Sequence, residues 1–557
     1  MLRFIQTRKR TDLLLAFICL VAGSAVIFAH INYGGPSIDE IYQSLCVKRN
    51  LEAPLGALSF WMAAQWSEIF GFSLVNLRIL AAFETICAIL ISTGYLYKLT
   101  ENLRLSTVVF LLCCILMRMG TPGIFDWDSG SYIFDSLLLC LLFSIVTKFS
   151  YYKCIFIGIV VSCISLGRLP SLVLLPVSLT FIISLHYNKS NYLNVKKTIY
   201  GCFVILAAWL ITSFLLLWII YGNVSSFINS LANGNIITGH NPVSDIHYLW
   251  GRFAIIMLNL PNILFFGTGC VLLATIVTEL NKRVAYIICF CWIVFCTLMT
   301  YWRSFDYTGF MFDQGIDVPL GFWLLSIVPI YKLFQRNFTL SFNQKTKLLI
   351  CLLLLIGISF GSDLFYLKMT CGFTIPLIIA VLWRHKDRYL HCFTKAIVVI
   401  SLLTFGSMYA CFFVMTQIDH AKYETYHIYP FNGLKTNDKL VREAIEANEA
   451  IVTLRKNNIP FVYLGNARLI ELVYGQNQGL SFHNFHQTLT NWQDWQLYKS
   501  SFINKADAIV FNKDNIDSEI INDAHNEGFK YSLKSGTFTI LLRDSTKLIS
   551  TYDGAAH

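Results

Sequence analysis

Charge is what this sequence has least of: Asp, Glu, Lys and Arg make up 14% of its 557 residues, where soluble domains carry about a quarter. That shortage excludes a chain that is soluble throughout, and it is uneven. From Thr11 to about Met415 the sequence is a succession of apolar runs, each near the roughly 20 residues a helix needs to cross a hydrocarbon layer of about 30 Å. Past Gln417 charges, Asn and Gln return throughout. Cysteine is not scarce, but its patterns are missing. The 17 cysteines include no CxxC and no Cys/His pair at metal-ligand spacing. Most lie inside apolar runs (Cys113, Cys114, Cys289, Cys291, Cys296), as small apolar core residues. Beyond residue 417 there is no cysteine at all, which excludes a disulfide there. That stretch also lacks a Gly-rich phosphate loop and a nucleophile constellation; Gly465-Asn466 behind a strand is too little to make a nucleotide site. No internal repeat and no low-complexity stretch is present.

What is there reads as a mainly α-helical polytopic membrane protein with a small C-terminal α/β soluble domain. The division falls between a membrane domain over 1–416 and an extracytoplasmic domain over 417–557. About thirteen spans are expected, at 12–30, 74–97, 105–118, 131–147, 154–167, 170–186, 199–221, 259–280, 284–301, 318–333, 347–360, 370–384 and 396–415. Arg8, Lys9 and Arg10 precede an apolar run to Ala29 that is long and has no small-residue cleavage site, so an uncleaved first span with a cytoplasmic N-terminus is expected. The net charge of +10 does not point to nucleic acid, because the basic residues are distributed over short loops on one side. An odd number of spans places the C-terminus on the opposite side, outside the cytoplasmic membrane. Only a few basic residues fall there: Lys48, Arg49, Arg78, Arg118, Arg168, Arg252, Arg303 and Lys368.

The long loops, at 31–73, 222–258 and 302–317, are all outside, which is where the chemistry is expected. Leu55–Phe70 reads as an interfacial helix with Trp61 and Trp66 at headgroup depth, and Asn229–His247 as irregular loop. In the C-terminal domain, Thr436–Lys456 has helical spacing. Phe461–Leu464 and Ala508–Phe511 read as strands, Ile516–Gly528 as a helix, and Tyr531–Leu542 as a hairpin turning at Ser535-Gly536.

The first outside loop opens PSIDEIYQSL, placing Asp39 and Glu40 side by side beyond span 1. By spacing alone, Ser37 and Glu40 equally make a helix capping box. A second acidic cluster, GIFDWDSGSYIFD, follows span 3 with Asp126, Asp128 and Asp135; Asp-Ser-Gly is also turn chemistry. Asp135 lies far enough into span 4 to be hydrogen-bonded within the bundle. Among the outside cations, Arg168 (SLGRLPS) ends span 5 and Lys368 (GSDLFYLK) lies between spans 11 and 12; a lone cation there also serves as a snorkelling anchor.

Asp39-Glu40, then Ala53-Pro54-Leu55, Phe70-Gly71 and Leu77-Arg78, resembles the start of GT-C glycosyltransferases. These include the protein O-mannosyltransferases and the aminoarabinose transferases of lipid A. The resemblance extends to about residue 180. It implies a polyprenyl-phosphate sugar as donor and a lipid, glycan or protein as acceptor. It also implies transfer of one sugar at the outer face, with inversion by single displacement. Asp39 is then the catalytic base, assisted by Glu40, with Asp126 or Asp128 from the second outside loop at the same site. A carboxylate suits this task, because an acceptor hydroxyl must lose its proton as it attacks the anomeric carbon. Arg168, Lys368, Arg303 and Arg252 are candidates for the donor phosphate, and His240 for the acceptor. Asp39, Glu40, Asp126 and Asp128 are oxygen ligands of a kind that holds a divalent cation, and the resemblance leaves metal use open. The rival readings are a flippase or transporter of a lipid-linked saccharide, a surface-polysaccharide polymerase or ligase using a diphosphate-linked donor, and a non-catalytic scaffold.

Overall fold

The computed structural model of the chain describes residues 2–29, 31–34, 38–120, 125, 127–185, 195–235, 269–270, 272–278, 282–306, 345–347, 349–350, 371–383, 388–420, 423–436, 438–465, 467–474, 492–512, 516–535 and 538–543. The membrane part begins with α1 (Leu2–Phe28), a short α2 (Ile38–Lys48) and α3 (Ala57–Phe70). The bundle helices α4 (Leu74–Thr100), α5 (Leu103–Gly120), α6 (Trp127–Thr147), α7 (Tyr151–Gly167) and α8 (Leu174–Ser184) follow. Next come α9 (Val195–Tyr221), α10 (Val224–Asn235), α11 (Lys282–Asp306), α12 (Cys371–Trp383) and α13 (Arg388–His420). Among the described residues six helices are long and apolar enough to cross a membrane, and three shorter apolar stretches lie at 151–167, 169–183 and 374–383. All of these coincide with expected spans. The spans expected at 259–280, 318–333 and 347–360 lie wholly or largely outside the described residues.

Apolar composition alone makes these segments helical in lipid, since every backbone group must be satisfied within the helix. Exposure then separates their roles. On α9 the large side chains Phe203, Ile211, Phe214 and Trp218 are exposed, so lipid is their solvent. On α4 and α6, Ile89, Leu96, Leu138, Leu142 and Phe143 are buried in the bundle core. The start of α4 is capped: the Ser73 hydroxyl accepts from the Asn76 amide at 3.1 Å. Helix α3 does more than lie at an interface, because it buries Ala57, Leu58, Phe60 and Ala63 against the bundle. Where irregular loop is expected from Asn229, the chain instead continues helix α10 to Asn235, with Phe227 buried; the rest of that stretch lies outside the described residues.

The C-terminal unit holds a four-stranded sheet built from β3 (Phe461–Leu464), β4 (Ala508–Asn512), β5 (Tyr531–Ser535) and β6 (Phe538–Leu542), after a small ladder of β1 (Glu424–Thr425) and β2 (Lys435–Thr436). Its strand order is β3-β4-β6-β5, with β3 parallel to β4 and the other pairs antiparallel. The helices α14 (Lys439–Glu446), α15 (Asn448–Lys456), α16 (Ala467–Tyr474), α17 (Trp492–Phe502) and α18 (Ser518–Asn526) surround it. The single helix expected over 436–456 is two, broken at Ala447, with Thr436 in β2 instead. The break lets Val441, Ala444, Ile451 and Leu454 all reach the core.

Alternation along the strands sends side chains to two cores. Val462, Leu464, Ile509, Phe511 and Leu541 meet Trp495, Ile520 and Phe529 on one face. Phe461, Tyr463, Val510, Ile540 and Leu542 face the other way, into a core that continues through Ile41, Leu45, Phe60, Leu74 and Leu77 of α2, α3 and α4. The C-terminal unit and the helices α2 and α3 between the first two spans therefore share one hydrophobic core.

Candidate functional site: buried ion pairs at one end of the bundle

Consecutive helices joined by short turns alternate in direction. The start of α4, the end of α5, the start of α6 and the end of α7 therefore lie at the same end of the bundle, where α1 leaves it. Two buried ion pairs form at this end. In the first, Arg78, one turn into α4, meets Glu40 of α2 through both carboxylate oxygens, with Nε donating to Oε1 and Nη2 to Oε2, each at 2.7 Å. Both side chains are almost wholly out of water, at 3% and 0% exposure. The third guanidinium nitrogen, Nη1, donates to the Ile31 and Tyr33 carbonyls at 3.1 and 3.0 Å. A planar fork of this kind fixes orientation as well as distance. Arg78 thereby ties the chain leaving α1 to the first turn of α2, where Asp39 stands. Glu40 is occupied as the anchor of that turn, and a carboxylate already bound through both oxygens to a guanidinium is a poor metal ligand. Among the described residues no group of three or more His, Cys, Asp and Glu converges as a metal site.

In the second pair, Arg168 Nε lies 2.6 Å from Asp128 Oδ1, again with both side chains buried. Arg168 Nη1 also donates to the Ser171 hydroxyl at 3.2 Å. Asp128 stands in the first turn of α6, and Arg168 follows α7 where Leu169–Val173 forms a 3-10 turn opened by Pro170. Asp135, two turns along α6 and 1% exposed, accepts from the Ser131 hydroxyl at 3.0 Å, and the fields of Arg168 and Asp128 reach it. Taking such charges out of water costs several kcal/mol per ion, and ionisable groups at membrane depth that persist usually line a substrate path.

Helix α3 covers this second pair. Ser59 Oγ donates to the Gly167 carbonyl at 3.0 Å. A Cβ on Gly130 would stand 2.4 Å from Ser59 Oγ and 3.2 Å from its Cα, so the glycine of Asp-Ser-Gly is a contact surface for α3. Phe125, beside Asp126, is fully buried in the core that holds Ile41, Leu45 and Leu77. Phe125, between α5 and α6, thus packs in the same core as α2 and the start of α4.

Of the residues singled out from sequence, the structure brings Glu40, Asp128 and Arg168 to this end of the bundle, and places the backbone of Asp39 there in α2. The Asp39 side chain, Asp126, His240, Arg252 and Lys368 lie outside the described residues, as does the side chain of Arg303, which sits near the end of α11. Sequence reasoning missed Arg78 as the partner of Glu40, although an arginine four residues into an apolar run is itself a signal. It also missed Arg118, whose Nε and Nη2 donate to the Ala29 carbonyl at 3.2 and 2.9 Å. Glu84, at 3% exposure within α4, is a further carboxylate at membrane depth.

No family model and no curated protein sequence matches the chain. It is similar to two solved structures of ArnT from Cupriavidus metallidurans. The structure of that enzyme bound to undecaprenyl phosphate aligns with 96% of this chain and 98% of its own, at 11% identity and a TM-score of 0.39. The apo structure aligns with 97% and 99%, at 11% identity and a TM-score of 0.41. The architecture is that of a polytopic α-helical membrane protein closed at one end by a small α/β unit.

Proposed function

We propose that the chain is a membrane glycosyltransferase that moves one sugar from a polyprenyl-phosphate donor to an acceptor hydroxyl, at the outer face of the cytoplasmic membrane. Residues 1–416 would hold the catalytic machinery and residues 417–557 an extracytoplasmic domain, with the N-terminus cytoplasmic. The observation that carries the reading is the pairing of Glu40 with Arg78 and of Asp128 with Arg168, both buried at the end of the bundle that presents Asp39. The sequence resemblance of the Asp39-Glu40 loop to GT-C enzymes supports it. Asp39 takes the acceptor proton as the acceptor oxygen bonds to the anomeric carbon, and the bond from that carbon to phosphate breaks. The electron pair leaves with the polyprenyl phosphate. Arg168, held in place by Asp128, is the candidate to meet that phosphate, with Lys368, Arg252 and Arg303 as further candidates. His240 remains a candidate for the acceptor. Single displacement gives inversion.

A flippase would need polar groups along the whole depth of the bilayer; the two ion pairs gather at one end, and Asp135 and Glu84 are the buried acids described further along α6 and α4. The test is a donor panel: purified protein in liposomes, with radiolabelled sugars on polyprenyl monophosphate and diphosphate carriers and a membrane acceptor pool. Transfer from a monophosphate donor supports the reading. Transfer from diphosphate carriers alone would make the chain a polymerase or ligase, and movement of lipid without transfer would make it a flippase.

A further inference from the structure

Helix α2 carries Asp39 in its first turn, and both flanks of that helix are fastened by chain from beyond residue 420. Upstream, the Lys435 amide donates to the Asn32 carbonyl at 2.7 Å and the Gly34 amide donates to the Lys435 carbonyl at 3.0 Å. Downstream, Lys48 Nζ donates to the Leu472 carbonyl at 2.6 Å, and Arg49 Nη1 donates to Glu471 Oε1 at 2.8 Å. Lys48 Nζ also stands 4.9 and 4.7 Å from the ring centroids of Phe72 and Tyr429. Lys48 is exposed as a residue, yet partial desolvation of its ammonium pushes its pKa down to about 8, against the pull of Glu471. Glu471 is itself buried, and Arg49 pairs with it there. Between the two flanks, Ile41, Leu45 and Val47 share their core with Leu469 and Leu472 of α16.

We propose that the C-terminal unit is a brace for α2, and that Lys48, Arg49 and Glu471 are positioning residues for Asp39. The proposal rests on the reading of Asp39 as the base. The lever is simple: Arg49 and Asp39 are about 15 Å apart along a helix rising 1.5 Å per residue. A tilt of about 4° at the braced end displaces the other by about 1 Å, and a misplacement of that size costs up to about 100-fold in rate. Whatever binds or modifies the C-terminal unit near Glu471 is then felt at the site.

The experiment uses full-length protein in nanodiscs with Glu471→Ala, Arg49→Ala and the conservative Arg49→Lys. Hydrogen exchange of the α2 amides reads the brace directly, with the amides of α4 as the control that the bundle still stands. Steady-state transfer reads its effect on Asp39. Expected are α2 exchange about 10-fold faster in both alanine variants with α4 unchanged, kcat lower by about 10- to 100-fold, donor KM within about 2-fold, and substantial recovery in Arg49→Lys. Unchanged α2 exchange and unchanged kcat in Glu471→Ala would overturn the brace. Loosened α2 exchange in a protein whose wild type transfers from no monophosphate donor would support the brace while overturning the transferase reading.

Discussion

Replacing Arg78 by Met is the most informative single perturbation of the site. It removes the two donors at 2.7 Å from Glu40 and the donors to the Ile31 and Tyr33 carbonyls, and leaves Glu40 at 0% exposure without its cation. Breaking a buried pair from one side costs about 3–5 kcal/mol, with about 1 kcal/mol more for each backbone acceptor left without its donor. Glu40→Gln breaks the same pair from the other side and puts an amide donor against a guanidinium donor. Because the two changes remove one shared interaction, Glu40→Gln/Arg78→Met should cost clearly less than the sum of the singles, by about 2 kcal/mol or more. The thermal midpoint of the purified protein supplies the stability comparison. Cys46, at 1% exposure on α2, supplies a local one, since its alkylation read by peptide mass spectrometry reports release of that helix. Singles that keep the wild-type midpoint and leave Cys46 protected, or costs that add, would refute the assignment of Glu40 as the anchor of the Asp39 turn. Loss of transfer in Glu40→Gln with unchanged stability would instead make Glu40 a proton acceptor.

Gly130→Ala forces a methyl against Ser59 Oγ and Cβ at 2.4 and 2.6 Å and should cost about 1–3 kcal/mol, with partial relief in Ser59→Gly/Gly130→Ala, measured by thermal midpoint. Asp128→Asn and Arg168→Met should each abolish transfer by leaving a buried partner charge behind, and the double variant should be more stable than either single. In the C-terminal unit Asp523 gives up some hydration, yet the Lys499 ammonium and the Trp495 indole more than compensate and hold it below the usual carboxylate range. Its contribution is therefore complete above about pH 4 and is lost as pH falls through the depressed value. Acid denaturation of this unit should begin at higher pH once Lys499→Met removes that support, as followed by Trp495 fluorescence.

The helical architecture was legible because apolar runs of spanning length have few alternatives in lipid; Thr11 to Met415 carried it without further help. The strands at 461–464 and 508–511 were equally readable as short β-branched and aromatic runs, the second extending one residue further to Asn512. What was not readable depends on separations of hundreds of residues. Nothing near Lys48 and Arg49 announces that Glu471 and Leu472 receive them, and nothing in the C-terminal sequence says that Val441 and Leu469 complete a core begun by Ile41 and Leu45. The acidic loops were found from sequence, but the use of Glu40 was not, because its partner lies 38 residues away. Helix α10 was missed because Asn229, Asn233 and Asn235 read as loop chemistry, while its apolar residues pack on α9 and α3's neighbourhood through Phe227.

The central claim is that Asp39 accepts the acceptor proton in a transfer from a polyprenyl monophosphate. The direct measurement is transfer of radiolabelled sugar by wild type and Asp39→Asn, side by side in liposomes, after equal thermal midpoints and equal Cys46 protection have shown both to be folded alike. The account predicts that Asp39→Asn loses transfer by at least about 100-fold, as general-base removal typically does, while still binding donor. Transfer near the wild-type rate in Asp39→Asn would contradict it.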